Sequence, residues 1–322
     1  METYKLCKVP VLRKLFCLFI GISVLIGSSG CTTPQEDTIN VSGAWALYPL
    51  MVKWVEEYTA LHPDIRIDVS AGGAGKGMAD TLGGLVDIGM ISREIYPEEI
   101  EKGAFYITVA RDAVVPIVNK NNPYFKDIIS HGMSREAFYA IYITGEVTTW
   151  GDVLKNPHIT DTIQVYTRSD ACGAAKTWAL YLGFAQEDLR GVGVYGDPGV
   201  VEAVSNDKYG IGYANLNFAY DIITGSPAPG IAVIPIDLDS NGIITDYESF
   251  YQTKLQVIDA IIEGMYPSPP ARDLYLVTKG DPKGIVKDFL IWILTDGQQY
   301  VAETGYISLG DILEEELKKL EE

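Results

Sequence analysis

The residues with the most chemistry in them lie in one stretch, Thr167-Arg168-Ser169-Asp170-Ala171-Cys172-Gly173-Ala174-Ala175. A short β-type run, Ile163–Tyr166, leads into it, and an apolar-periodic segment, Ala175–Phe184, follows it as a predicted helix. A helix start leaves backbone N–H groups unpaired and carries positive dipole character, so it seats anions. Arg168 adds a permanent charge in a fork that matches an oxyanion. Together these features read as an oxyanion-recognition element. An ordinary strand–loop–helix junction with a surface arginine would look the same locally. Cys172 in this position is expected to have a lowered thiol pKa. A nucleophilic cysteine needs a base, normally histidine. The three histidines, His62, His131 and His158, all lie in polar or proline-bounded loops. Cys172 therefore reads as a small substitute for serine, and the chain as a binder, not an enzyme. Gly75-Lys76-Gly77 lacks the spacing and the Ser/Thr of a phosphate-transfer loop.

A second constellation is Asp237-Leu238-Asp239-Ser240-Asn241-Gly242-Ile243-Ile244-Thr245-Asp246-Tyr247-Glu248. It follows the EF-hand loop pattern. Asp237, Asp239 and Asn241 offer oxygens at alternate positions, Gly242 makes the sharp turn, Ile243 offers a backbone carbonyl, and Glu248 closes the set. These hard oxygen ligands suit Ca²⁺. The preceding segment, Ala232–Ile236, reads as a strand and not a helix, so a lone structural calcium loop is expected, without the paired-helix switch of a sensor.

The 322 residues carry a net charge of −18, are 47% hydrophobic and 21% charged, and contain no low-complexity tract. That length exceeds one small core, so two lobes are expected. Residues 1–30 stand apart. Lys5, Lys8, Arg13 and Lys14 precede Leu15–Ile26, an apolar stretch too short to span a bilayer comfortably. This reads as a secretory signal peptide. Its loss takes away four basic residues and one acidic one, moving the net charge to −21. Such a body does not invite nucleic acid. Cys31 follows Gly27-Ser28-Ser29-Gly30, as in a lipoprotein signal, so residues 31–38 are expected to be a tether anchored in the membrane by lipidated Cys31. Ser28 departs from the aliphatic residue usual there. Cys7 and Cys17 leave with the signal, so Cys172 is the only cysteine of the folded body and no intrachain disulfide is available.

Strand–loop–helix repeats position these residues. Ile39–Ser42 is β-type, and Leu50–Leu61 is helical up to His62-Pro63. Ile65–Val69 alternates as a strand, the glycine-rich Ser70–Gly77 leads into a helix at Met78–Leu85, and Val86–Ile91 is a third strand ending at Ser92-Arg93. This pattern indicates an α/β fold with ligands at the strand C-terminal ends. Ala113–Asn119 is an apolar strand and the expected first crossing between lobes; the proline-rich Tyr266–Arg272 leads to the return crossing near Leu274. The predicted division is 39–118 with 275–322 as lobe I and 119–274 as lobe II.

Four segments resemble the substrate-binding proteins of phosphate ABC transporters: Gly43–Pro49, Gly72–Gly77, Asp87–Arg93, and Arg168 with Gly173. Thr144–Trp150, Gly210–Tyr213, Tyr266–Tyr275 and Gly297 through Gly305-Tyr306 fit the same pattern, so the resemblance spans about residues 39–308. It implies the two-lobed type II periplasmic-binding-protein fold, with mixed sheets flanked by helices. It also implies an extracytoplasmic, monomeric protein that captures an oxyanion, foremost phosphate, for ABC permease subunits. The ligand-binding set it implies is Trp45, Ala46, Ala74, Gly75, Ser92, Arg168, Cys172, Gly173 and Ala174. Hydroxyls are depleted here. Trp45, Ala74, Cys172 and Ala174 stand where the resemblance leads one to expect Ser or Thr, leaving Ser92, Arg168 and backbone N–H groups. A different anion, an organic phosphate, or presentation of the ligand to a sensor stays open.

Overall fold

The computed structural model describes residues 37–321. The signal peptide and Cys31 lie outside the described residues. Asp37 and Thr38, assigned above to the tether, are instead the first residues of strand β1 (Asp37–Gly43). Eight further strands follow: β2 (Ile65–Ala71), β3 (Ile88–Ile91), β4 (Ala104–Asn119), β5 (Gln164–Arg168), β6 (Val192–Val194), β7 (Gly210–Asn215), β8 (Ile231–Val233) and β9 (Ala271–Lys279). Their order is β2-β1-β3-β9-β4-β7-β5-β6, with β8 also on β4. Pairing is mixed. β1 runs parallel to β2 and β3, and β5 runs parallel to β6 and β7, whereas β4 is antiparallel to β7, β8 and β9. The architecture is the expected mixed α/β one.

Strand β4 is longer than its apolar C-terminal half indicates. Arg111 and Asp112 interrupt the hydrophobic run, but both find partners on β9: Arg111 Nε meets Asp273 Oδ1 at 2.8 Å, and Asp112 lies opposite Arg272. The charged pair therefore does not end the strand. It marks where the chain changes core. Ile107, Val109 and Ala110 of β4 pack with Leu274, Leu276 and Val277 of β9 in the first core. Ala113 through Val118, with Ala271, pack in the second. The two cores thus divide β4 at Arg111–Asp112.

Five helices matter for the site: α1 (Tyr48–Leu61), α2 (Ala74–Gly83), α3 (Gly173–Leu182), α4 (Gly196–Asn206) and α5 (Lys254–Ile262). α1 buries Leu50, Met51, Trp54 and Tyr58 on one face, and Trp54 Nε1 donates to the Gly297 carbonyl at 2.8 Å. Pro63 cannot continue it. α2 lies close on β1 and β3, because a Cβ on Gly77 would collide with Gly43 and the Met90 carbonyl. α3 has little polar face; Ala174, Ala175, Trp178, Ala179 and Leu182 are all buried. No helix among the described residues is long and apolar enough to cross a membrane.

Candidate functional site

The loops before α1, α2 and α3 meet. Gly75 N–H donates to the Ala171 carbonyl at 3.0 Å. A Cβ on Gly173 would strike the Ser92 hydroxyl, and one on Gly73 would strike Ala171 and Asp170. Only glycine permits so close an approach. Ala46, Ala74 and Ser92, on the side of the first core, are thereby brought against Arg168, Cys172, Gly173 and Ala174, on the side of the second. Gly75 does not serve as the expected ligand donor. Its N–H is taken by Ala171, and the Gly72 and Gly73 N–H groups are taken by the Gly43 carbonyl. Among the described residues, the amides of Ala46, Ala74, Gly173 and Ala174 make no hydrogen bond. Each stands in the first turn of a helix, where such groups are left over.

Arg168 is buried and enclosed by two carboxylates. Its Nε and Nη2 donate to Asp170 at 2.8 and 2.6 Å, and Nη1 donates to Asp197 at 2.5 Å. Asp170 also accepts Gly196 N–H, and Asp197 accepts Asn215 N–H at 2.9 Å. Burial opposes the guanidinium charge, but Asp197 and Asp170 outweigh it and hold Arg168 protonated. A guanidinium has five N–H donors. The two carboxylates use three of them and fix the fork, so two remain for a ligand.

Cys172 does not have the lowered thiol pKa expected from its place beside Arg168 at a helix start. It is 5% exposed, and burial pushes its thiol up to about 12 in spite of Arg168 nearby. Its Sγ accepts the Ala175 N–H at 3.4 Å, and its own N–H goes to Gln186. It caps α3. Trp45 opens a short 3-10 turn, Trp45–Leu47, and its ring lies among Tyr48, Tyr195 and Phe218. Its Nε1 is buried without a partner. Ala46 is fixed from behind by the Tyr306 hydroxyl, which donates to its carbonyl at 2.7 Å.

At the change of core, Asp112 lies 1% exposed with Arg272 Nη2 at 3.6 Å. Burial raises its pKa to about 6, with Arg272 opposing. Arg272 itself donates to Thr177 at 2.9 Å and to Asn215.

In the second constellation, oxygens of Asp237, Asp239 and Glu248 lie within 4.8 Å of one another. Asp237 and Glu248 are buried and Asp239 is exposed. Asn241 turns its carboxamide to Asp239 and to Ile243 N–H, and Ile243 is exposed. A short 3-10 turn, Asp246–Glu248, carries the last carboxylate into the group. Three hard oxygen donors at this spacing fit a divalent cation.

A family model described as the PBP superfamily domain matches residues 30–297. The chain belongs to the PBP superfamily. It is 24% identical to the phosphate-binding protein PstS of Methanocaldococcus jannaschii, over 96% of this chain and 95% of that one. It is 24% identical to the phosphate-binding protein PstS of Bacillus subtilis, over 94% of each chain. Its fold matches that of an ABC-type phosphate transport receptor from Vibrio cholerae with a TM-score of 0.60 and 21% identity, over 84% of this chain and 100% of that one. Sequence reasoning missed the two carboxylates that hold Arg168. Asp170 lies in the arginine loop and was legible as a neighbour only. Asp197 is 29 residues from Arg168, too far for a local signal.

Proposed function

We propose that this protein captures phosphate outside the cytoplasm and delivers it to the permease of an ABC importer. The observation that carries this reading is Arg168, locked by Asp170 and Asp197 with two N–H donors left, beside the open amides of Gly173 and Ala174. The amides of Ala46 and Ala74 and the Ser92 hydroxyl complete the ligand set from the other core. A ligand bridging both sets favours the closed arrangement, because it gains contacts there that an open form lacks. The phosphate-binding relatives support this reading.

Trp45 favours a second reading. A ring with an unpartnered Nε1, standing where a hydroxyl is expected, suits a different oxyanion or an organic phosphate. A buried polar group without a partner costs about 1–3 kcal/mol, so the missing hydroxyls weigh against tight phosphate binding unless water replaces them.

The remaining parts of the proposal are the leader, the anchor and the metal. Residues 1–30 are removed, Cys31 carries the lipid, and the mature protein works as a monomer at the membrane surface. Ca²⁺ stiffens the Asp237–Glu248 loop, held by Asp237, Asp239 and Glu248, with Asn241 and Ile243 able to add oxygens.

The deciding experiment is calorimetric titration of phosphate into the mature protein, unfolded and refolded to remove carried-over ligand. Submicromolar binding supports the phosphate reading. No heat with phosphate, and heat with another oxyanion or a phosphate ester, replaces it with the second.

A further inference from the structure

Lys254, at the start of α5, is only 5% exposed. Its helix packs Val257 and Ala260 into the second core. Its Nζ donates to Oδ1 of Asn217 and, at 3.1 Å, to the carbonyl of Thr304. Thr304 stands between Val301 and Tyr306, both of the first core. The bond therefore ties one core to the other. Gly305 makes room for it. Its φ is +77°, and a Cβ there would collide with the Lys254 Nζ and Cε. The next residue, Tyr306, donates its hydroxyl to the Ala46 carbonyl in the turn that opens the ligand site. Lys254, Thr304, Tyr306 and Ala46 thus form one continuous path from the second core to the carbonyl of a ligand-loop residue in the first.

We propose that Lys254 is a positioning residue for ligand capture: by anchoring the Thr304–Tyr306 turn from the opposite core, it sets the place of Ala46 and couples closure to assembly of the anion site. The inference takes the role of Ala46 from the phosphate reading above.

Asp112 on β4, paired with Arg272 on β9, is the charge that acts on the ammonium. Burial lowers the Lys254 pKa to about 8, with Asp112 opposing.

The test compares the wild-type protein with Lys254→Met, which keeps the stem and removes the donor. Without ligand, amide hydrogen exchange of residues 44–48 should be about tenfold faster in the variant, the size expected for loss of one charged hydrogen bond. With phosphate, the variant should bind about tenfold more weakly near neutral pH. Unchanged exchange at residues 44–48, or exchange sped equally throughout α5 and β4, overturns the proposal. Should Lys254→Met not fold, Gly305→Ala expels the ammonium from the other side and must speed the same exchange. A wild type that ignores phosphate sinks the phosphate reading alone, because the ligand-free exchange still decides the role of Lys254.

Discussion

Arg168 and Asp197 meet at 2.5 Å, with 1% and 0% of their side chains open to solvent. Asp170 closes on the same guanidinium from its other edge at 2.6 Å. The triad carries one net negative charge before any anion arrives. Selection for an oxyanion must then come from aligned N–H groups, not from a positive field.

Asp197→Asn removes one carboxylate charge and keeps an oxygen for Arg168. Phosphate affinity should rise about tenfold, read by calorimetry. A fall of that size would mean that Asp197 serves chiefly to hold the fork. Arg168→Ala should abolish binding. It also leaves two buried carboxylates without their cation, so denaturant melts should show a loss of about 3–5 kcal/mol.

Asp112 should give the fold a pH dependence of its own. Its folded pKa is raised to about 6 by burial. A carboxyl raised in the folded state contributes stability that is fully present below its unfolded value and is lost as pH rises through about 6. Asp112→Asn should flatten this slope, and the wild type should lose about 2–3 kcal/mol relative to it between acid and neutral pH. Urea midpoints of both proteins at several pH values are the check; parallel curves would count against it.

The Cys172 thiol should resist alkylation in the native protein at mildly alkaline pH and react quickly once unfolded, because burial holds it up at about 12. Rapid native labelling would contradict the buried cap. Cys172→Ser, which keeps an acceptor for Ala175 N–H, should leave the melting temperature nearly unchanged. Combined with Ala174→Thr, it returns two hydroxyls to the loop and should tighten phosphate binding.

Adding Ca²⁺ after chelation should raise the melting temperature, since a ligand bound only by the native state stabilises it by mass action. Asp237→Asn with Glu248→Gln should remove the shift. A wild-type melt insensitive to Ca²⁺ would remove calcium from the proposal.

The parts of the fold legible in the sequence were those with local causes. Pro63 ends α1, the glycines before Ala74 announce α2, which starts four residues ahead of the expected Met78, and the alternation at Ile65–Val69 marks β2. The first half of β4 was hidden because Arg111 and Asp112 look like a loop until β9 supplies their partners. Within the site, the open amides follow from helix geometry. The ion pair between Arg168 and Asp197 arises only when β5 and α4 are folded together. The thiol went the other way from expectation because burial, with Asp170 and Asp197 adding to it, outweighs Arg168 and the Ala175 N–H.

Strand β4 supplies backbone to both cores, pairing β9 along its first half and β7 and β8 along its second. Neither half of the molecule can melt without stripping an edge from the other. Heat or denaturant should therefore unfold residues 37–321 in a single cooperative step, with the two halves surrendering their protection together.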